Sequence, residues 1–291
     1  GELGSDFSIP DCLDQLTDRA ANFIRSQAGA DKPYFLYFPL TAPHKPVLPQ
    51  ERFVGATELG PYGDFVAQVD WTVGQVIKAI DETESADNTL VIFTSDNGSF
   101  MRRQKDANEP DHVSDPTIQA FYEGNHTSNG PWRGTKADIW EGGHRVPFFA
   151  RWTGVIEPGS RCDTPICHVD LFATAAALAG TKIPPADQAA PDSFSLVPLL
   201  RGNDDGFRRS AVVNHSANGT FAIRDAQWKL VFSNGSGGRE KPSGKPFGTP
   251  WTLFDLDADP TESTDLADVR PEITKRLQAE LMRFLANEKS R

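Results

Sequence analysis

The stretch that most constrains the fold spans residues 91–98 and reads Val-Ile-Phe-Thr-Ser-Asp-Asn-Gly. Its first four residues favour a β-strand, and an acid, an amide and a glycine follow almost at once. This pattern is typical of a buried parallel strand that delivers oxygen ligands to its carboxyl end, where open α/β sheets bind ligands. The Asp96 carboxylate beside the Asn97 carbonyl suits a hard cation such as calcium or magnesium. An ordinary Asx turn explains the same residues, so both interpretations stay open at this point.

The preceding segment predicts a βαβ unit. Apolar residues recur at helical spacing in 13–24 and again in 64–83, so each of these stretches predicts a helix, and residues 34–38 form an apolar run that is typical of a buried strand. A strand, a helix and a second strand in this order imply a parallel sheet with a right-handed crossover. Because the carboxyl ends of the two strands would share one edge, we expect His44 to converge with Asp96 and Asn97 there. Taken alone, His44 also fits a surface histidine in a proline-rich loop.

A cluster of basic residues follows a long segment, 99–130, that lacks periodicity and predicts a loop. These residues lie in a glycine-rich frame and are Arg133, Lys136, His144 and Arg145. In a chain of net charge −11, such local positive charge suits an anionic substrate, although a solvated basic loop explains it equally well. The acidic balance argues against nucleic acid as a partner. No apolar run reaches about 18 residues, so we expect no membrane span.

A second, smaller domain is indicated by four short strands, separated by turn residues, and one helix. The predicted strands are 211–213, 221–223, 228–232 and 252–256, and the helix begins at Pro271. Between the last two strands, residues 233–250 are rich in glycine, serine, lysine and proline, and this composition predicts a mobile loop.

Together these motifs resemble the sulfatase family of the alkaline-phosphatase-like superfamily. The segments that carry the resemblance stand in the expected order across nearly the whole chain, at 42–46 (Ala-Pro-His-Lys-Pro), 94–98 (Thr-Ser-Asp-Asn-Gly), 130–136 (Gly-Pro-Trp-Arg-Gly-Thr-Lys), 141–147 (Glu-Gly-Gly-His-Arg-Val-Pro), 168–171, 195–202 and 253–262. The resemblance implies an α/β fold in two parts. Residues 1–205 would form part of an alkaline-phosphatase-like sandwich with a central, mainly parallel sheet. Residues 206–291 would form a small antiparallel four-stranded sheet with one helix.

The resemblance also implies an arylsulfatase-like sulfuric ester hydrolase that depends on Ca²⁺, with Mg²⁺ as an alternative. Asp96 and Asn97 match calcium ligands of the family, and His44 and Lys136 match residues that contact the substrate sulfate and serve in catalysis. His126 is near enough in sequence to help line the same pocket. The implied substrate is a sulfated small molecule or a sulfated carbohydrate. Members of the family are usually secreted or periplasmic, so the resemblance implies the same location here.

Two parts of the family pattern do not occur in these 291 residues. Sulfatases make their formylglycine nucleophile from a Cys/Ser-x-Pro-x-Arg motif, and none of Cys12, Cys162 and Cys167 begins one. The early Asp pair that completes the metal site is also absent, and Ca²⁺ takes about six to eight oxygens. We therefore expect the C-terminal portion of a sulfatase, inactive on its own. Two alternatives remain: a non-catalytic homologue that binds sulfated glycans, and a phosphonate or phosphate ester hydrolase of the same superfamily.

Overall fold

The computed structural model describes residues 8–104, 120–122 and 126–291. Two compact units are distinguished by their internal contacts. Unit 1 comprises Gly1–Val91 and Met101–Ser128, and unit 2 comprises Ile92–Phe100 and Asn129–Arg291. The predicted domain boundary between residues 205 and 206 falls inside unit 2 and stays a prediction. In the part of the chain that is described, no helix has the length and apolar character needed to cross a membrane.

Unit 1 is built on two long helices, α1 (Ile9–Ser26) and α2 (Gly60–Glu82). Both predicted helices are confirmed, because apolar residues at helical spacing give each helix one face for the other to cover. That shared core contains Ala21 and Ile24 from α1 and Ala79 and Ile80 from α2. Two single-turn 3₁₀ helices, Glu51–Phe53 and Ala86–Asn88, complete the helical part of the unit.

The apolar run 34–38 does not form the buried strand that we predicted. Tyr34 and Leu36 pack on the α1–α2 core, whereas Phe35 and Tyr37 are 82% and 77% exposed. Among the described residues, this run joins no sheet. It is an extended segment covered on one side, so the first strand of the predicted βαβ unit is missing. An apolar run signals burial, but it does not encode how many sides are covered.

The predicted loop 99–130 contains two short strands, β2 (Arg102–Gln104) and β3 (Ala120–Tyr122), so the loop prediction is wrong for these residues. The strands pair in parallel, with Arg102 opposite Ala120 and Gln104 opposite Tyr122. Residues 105–119 and 123–125 of the predicted loop lie outside the described residues.

Most of the strand that opens the motif at 91–98 lies in unit 2. This strand, β1 (Val91–Thr94), pairs with β4 (Phe148–Arg151) in a two-stranded sheet. The rings of Phe93 and Phe149 stack with centroids 6.4 Å apart. Shorter helices follow along the chain, namely α3 (Glu141–His144), α4 (Asp170–Leu178), α5 (Val197–Leu200) and the 3₁₀ turn Asp204–Gly206.

The small antiparallel sheet at the end of the chain is confirmed. Its strands are β5 (Val212–His215), β6 (Phe221–Asp225), β7 (Trp228–Val231) and β8 (Thr252–Asp255), in that spatial order. Helix α6 (Pro271–Asn287) packs Leu277 and Leu281 on one face of the sheet. The other face covers Ile139 and Trp140, which directly precede α3. The sheet therefore lies directly against the segment that carries Lys136.

The glycine-rich loop 233–250 is packed against its surroundings, contrary to the mobility that its composition suggested. A Cβ added to Gly237 would lie 1.9 Å from the Ser216 hydroxyl oxygen, and one on Gly235 would lie 2.2 Å from the Pro242 carbonyl oxygen. Ser236 is buried. The glycines here allow close approach of backbone to backbone, which is a second use of the residue besides flexibility.

Candidate functional site

The turn after β1 presents two oxygen donors. The Thr94 hydroxyl donates to the Pro147 carbonyl at 2.9 Å, which holds the end of β1 beside the start of β4. The Ser95 hydroxyl donates to the carbonyl oxygen of Asn97 at 3.0 Å and closes the turn over the exposed Asp96. Among the described residues, neither the Asp96 carboxylate nor the Asn97 side-chain oxygen accepts a hydrogen bond, so neither is occupied by a protein donor there.

Glycines hold this turn against α3. The Gly98 amide donates to the Gly143 carbonyl at 3.0 Å, and a Cβ on Gly98 would lie only 1.7 Å from the Gly142 carbonyl oxygen. In turn, the Gly142 amide donates to the Arg133 carbonyl at 2.7 Å. A Cβ on Gly142 would lie 2.4 Å from the Gly134 carbonyl oxygen. Three chain segments thus pack backbone on backbone, which only glycine permits at these distances.

The loop that carries Lys136 is tied to the same turn. The Lys136 amide donates to the Ser99 carbonyl at 3.0 Å. The Asn129 side chain bridges the two segments, because its oxygen accepts from the Ser99 amide at 2.7 Å and its nitrogen donates to the Ser99 carbonyl at 3.1 Å. Unit 2 therefore ties the turn that carries Asp96 and Asn97 to the loop that carries Lys136 by hydrogen bonds at Ser99.

The other two predicted site residues lie in unit 1. His44 is exposed, and its Nδ1 lies 2.8 Å from the Lys45 carbonyl oxygen, so Nδ1 carries the proton in that hydrogen bond. His126 is half-buried, and burial lowers the pKa of its imidazole. The convergence of His44 with Asp96 and Asn97 stays a prediction, as does the place of His126 in the pocket.

A buried ion cluster anchors α3 to the small sheet. Lys229 on β7 lies 3.0 Å from a carboxylate oxygen of Glu141 and 2.8 Å from one of Glu262. Arg224 on β6 lies 2.9 Å from the second Glu141 oxygen, and the Glu141 amide donates to Glu262 at 2.6 Å. Burial opposes the charge on Lys229, but the two carboxylates outweigh it and raise the pKa of its ammonium. This cluster was not predicted from the sequence, although a lysine inside the apolar strand Trp228–Val231 is a visible signal of it.

His144 is not one of the positive charges that the sequence suggested. Burial, and then the charge of Lys229, lowers the pKa of His144 to about 4, so the imidazole is neutral at pH 7. Its Nε2 is buried and has no hydrogen-bond partner among the described residues.

The predicted basic cluster is mostly neutralised by ion pairs. Arg133 pairs with Glu240 at 2.5 Å, and Arg145 lies 3.8 Å from Glu141. The Arg145 guanidinium also stacks on the Trp132 ring, 3.9 Å from its centroid, so Arg145 braces this loop. Of the four basic residues, Lys136 alone keeps a positive charge with no hydrogen bond or ion pair from its ammonium to any described residue.

Two family models match the chain. One, described as Sulfatase, matches residues 10–181, which is more than half of the sequence. The other, described as N-sulphoglucosamine sulphohydrolase, C-terminal, matches residues 135–290. The chain belongs to the sulfatase family.

Individual sulfatases agree with this assignment. N-acetylgalactosamine-6-O-sulfatase of Bacteroides thetaiotaomicron is 35% identical over 279 residues, a match that covers 92% of this chain and 50% of the relative. Human steryl-sulfatase is 36% identical over 195 residues, covering 67% of this chain and 30% of the relative. The chain therefore spans half or less of the length of these relatives.

Solved sulfatase structures share the α/β fold. A Bacteroides thetaiotaomicron structure, described with the metabolism of multiple glycosaminoglycans, superposes with a TM-score of 0.79 at 32% identity and covers 95% of this chain and 55% of that one. The PsFucS1 sulfatase from Pseudoalteromonas gives a TM-score of 0.78 at 24% identity, over 98% of this chain and 55% of that one. At 24% identity, the likeness to PsFucS1 shows only a shared fold. The predicted α/β fold is confirmed.

Sulfatases use a metal ion, and the turn after β1 offers part of a site for one. The Asp96 carboxylate and the side-chain amide oxygen of Asn97 are hard ligands of the kind that Ca²⁺ and Mg²⁺ prefer, so their chemistry fits a metal site. Two donors fall short of the about six to eight that Ca²⁺ takes. Within residues 8–104, 120–122 and 126–291, no group of three His, Cys, Asp or Glu side chains could hold a metal ion. Asp96 and Asn97 therefore fit a metal ion as two of its ligands.

Proposed function

We propose that this chain is the portion of a calcium-dependent sulfatase that supplies two metal ligands, Asp96 and Asn97, and the sulfate-binding Lys136. The observation that carries the proposal is the hydrogen-bonded group that joins the turn after β1 to the Lys136 loop. It ties the segment that carries two oxygen ligands to the segment that carries a lysine with no counter-ion among the described residues. Such a pairing suits a substrate that carries negative charge and binds next to a metal ion.

Each residue has a defined task in this proposal. A bound Ca²⁺, held in part by Asp96 and Asn97, supplies charge neutralisation at the sulfuryl oxygens. Lys136 binds a sulfate oxygen and adds a second positive charge at the same group. His44 contacts the sulfate and assists proton movement near the leaving oxygen, and His126 helps to line the pocket.

The formylglycine nucleophile and the remaining metal ligands belong, in this proposal, to a part of the enzyme outside the 291 residues. The sequence holds no Cys/Ser-x-Pro-x-Arg motif, and the relatives are about twice as long. The chain alone is then inactive. The substrate is a sulfated carbohydrate or a sulfated small molecule, as the names of the galactosamine and steryl relatives support. We also propose a secreted or periplasmic location.

Binding of inorganic sulfate to the chain itself tests the role of Lys136. We expect saturable shifts of the Gly98, Ser99 and Lys136 amide signals in NMR spectra as sodium sulfate replaces sodium chloride at constant ionic strength. Lys136→Met should weaken this binding about tenfold or more, because a charge-assisted hydrogen bond contributes about 1.5–3 kcal/mol and each 1.4 kcal/mol is tenfold in affinity.

The matched control is Lys275→Met, which removes the same charge from an exposed position on α6. This variant should bind sulfate as the unmodified chain does. If both variants weaken binding equally, the effect is one of net charge, and Lys136 has no specific role in sulfate binding.

A further inference from the structure

A second loop is clamped against the segment that carries Lys136. The buried carboxylate of Asp138 accepts the Thr135 amide at 2.9 Å and, through its other oxygen, the amides of Arg239 at 2.5 Å and Glu240 at 3.0 Å. The Ile139 amide also donates to the carbonyl of Ser236 at 2.7 Å. The backbone at 236–240 is thus fixed to the backbone at 135–139 by hydrogen bonds on both sides of Asp138.

The two loops touch directly next to Lys136. A Cβ on Gly238 would lie 2.3 Å from the carbonyl oxygen of Ala137, so this contact has no room for a side chain. Lys136 precedes Ala137, and Arg239 follows Gly238. The contact between Gly238 and Ala137 therefore has Lys136 beside it on one loop and Arg239 beside it on the other.

The Arg239 side chain reaches the turn that also holds Lys136. Its Nη1 donates to the Phe100 carbonyl at 2.6 Å, and the neighbouring Ser99 carbonyl accepts the Lys136 amide at 3.0 Å. Arg239 is exposed, and its guanidinium pairs with no carboxylate among the described residues. By contrast, Arg133 in the adjacent segment is neutralised by Glu240.

A guanidinium that pairs with no described carboxylate, on a backbone held in place by hydrogen bonds, is suited to bind an oxyanion. Its planar fork binds sulfate or carboxylate through two parallel hydrogen bonds, whereas a lysine ammonium acts as a point charge. The bond to Phe100 and the backbone clamp at Asp138 restrict Arg239 before any ligand arrives, which lowers the entropy cost of binding. The chain has 40 acidic and 29 basic side chains, so a carboxylate partner would be easy to supply if neutralisation were the role of Arg239.

We propose that Arg239 is a specificity-determining residue that binds a second oxyanion of a substrate whose first sulfate lies at Lys136. This inference rests on the proposed function of Lys136 and extends it to a substrate class, namely sugars that carry two anionic groups. Recognition of the second group depends on the loop 236–240, outside the turn that offers the metal ligands.

Calorimetric titration of the unmodified chain with two probes tests this proposal. The probes are glucosamine-2-N,6-O-disulfate and N-acetylglucosamine 6-O-sulfate, at constant low ionic strength. We expect the disulfated sugar to bind about tenfold more tightly than the monosulfated one, as one charge-assisted hydrogen-bonded contact provides. Arg239→Gln should remove this preference and leave the affinity for the monosulfated sugar within about twofold.

Two further variants separate the explanations. Arg239→Lys keeps the charge but loses the fork, and it should retain only part of the preference. Lys275→Gln removes an exposed positive charge elsewhere on unit 2 and should retain all of it. Thermal unfolding of each variant checks that the fold is intact.

The outcomes distinguish this inference from the proposed function. If Lys136→Met weakens binding of the monosulfated sugar but Arg239→Gln leaves the preference intact, the inference for Arg239 is wrong and the role of Lys136 stands. Equal effects of Arg239→Gln and Lys275→Gln also overturn the inference. If Lys136→Met leaves binding of the monosulfated sugar unchanged, or neither sugar binds, the proposed function and the inference both fail.

Discussion

Replacement of Lys229 by methionine should lower the free energy of unfolding by about 3–5 kcal/mol, the cost of removing one partner from a buried ion pair. Lys229 is 2% exposed and is the shared counter-ion of Glu141 and Glu262, which are themselves buried. Methionine fills a similar volume, so the effect reports charge and not a cavity. Arg224 still pairs with Glu141 in the variant, but no other described cation pairs with the Glu262 carboxylate.

Urea denaturation of Lys229→Met and Lys275→Met measures this difference. The second variant removes an exposed lysine from α6 and should change the free energy of unfolding by no more than about 0.5 kcal/mol. The same comparison tests the link between the small sheet and α3, since the Gly98 and Gly143 amides should exchange with solvent faster in Lys229→Met. A loss below about 1 kcal/mol would mean that the Glu262 carboxylate is solvated or protonated without Lys229.

Gly98→Ala should be the most disruptive single methyl group in the candidate site. Its Cβ would lie 1.7 Å from the Gly142 carbonyl oxygen, which is backbone and has no rotamer to escape to. The turn after β1 must move away from α3, and the hydrogen bond from the Gly98 amide to the Gly143 carbonyl is lost with it. We expect a loss of about 3 kcal/mol in the free energy of unfolding, the upper range for overpacking, together with loss of sulfate binding.

Gly74→Ala is the matched control. Gly74 lies inside α2, where an added Cβ meets no atom within 4 Å. This change should raise the free energy of unfolding by about 0.5–1 kcal/mol, because alanine favours a helix. The same chemical change is therefore expected to have opposite signs at the two positions. Similar effects at both would show that the close approach of Gly98 to Gly142 does not occur in solution.

The parts of the fold that the sequence predicted correctly have a clear local pattern. Helices α1, α2 and α6 each present one apolar face, and the four strands of the small sheet are short apolar runs separated by turn residues. The run 34–38 has no such asymmetry, because it is apolar at every position although only alternate residues pack. The prediction of a mobile loop at 233–250 was wrong for a different reason. Glycine permits both mobility and close packing, and composition does not separate the two.

The candidate site was predictable as a set of residue types but not as an arrangement. Asp96, Asn97 and Lys136 followed from short motifs. The bond from the Lys136 amide to the Ser99 carbonyl, which joins them, depends on how two distant segments fold together. The same holds for Arg239, which lies in the segment that composition alone marked as a mobile loop. Charge counting also misled at Arg133 and His144, because ion pairing and burial remove charge in ways that local sequence does not show.

The central claim is that this chain carries part of a sulfatase active site, and turnover of para-nitrophenyl sulfate tests it most directly. For this test, the chain would be joined to the half of the Bacteroides N-acetylgalactosamine-6-O-sulfatase that has no counterpart in these 291 residues. The folding and the formylglycine content of the joined protein would be verified beforehand. We expect Ca²⁺-dependent hydrolysis that exceeds hydrolysis of a phenyl phosphonate ester. Lys136→Met should lower kcat/KM about 10²–10³-fold, as loss of one preorganised charge contact does. A preference for the phosphonate ester, a folded formylglycine-bearing protein without turnover, or full activity in Lys136→Met would contradict the claim.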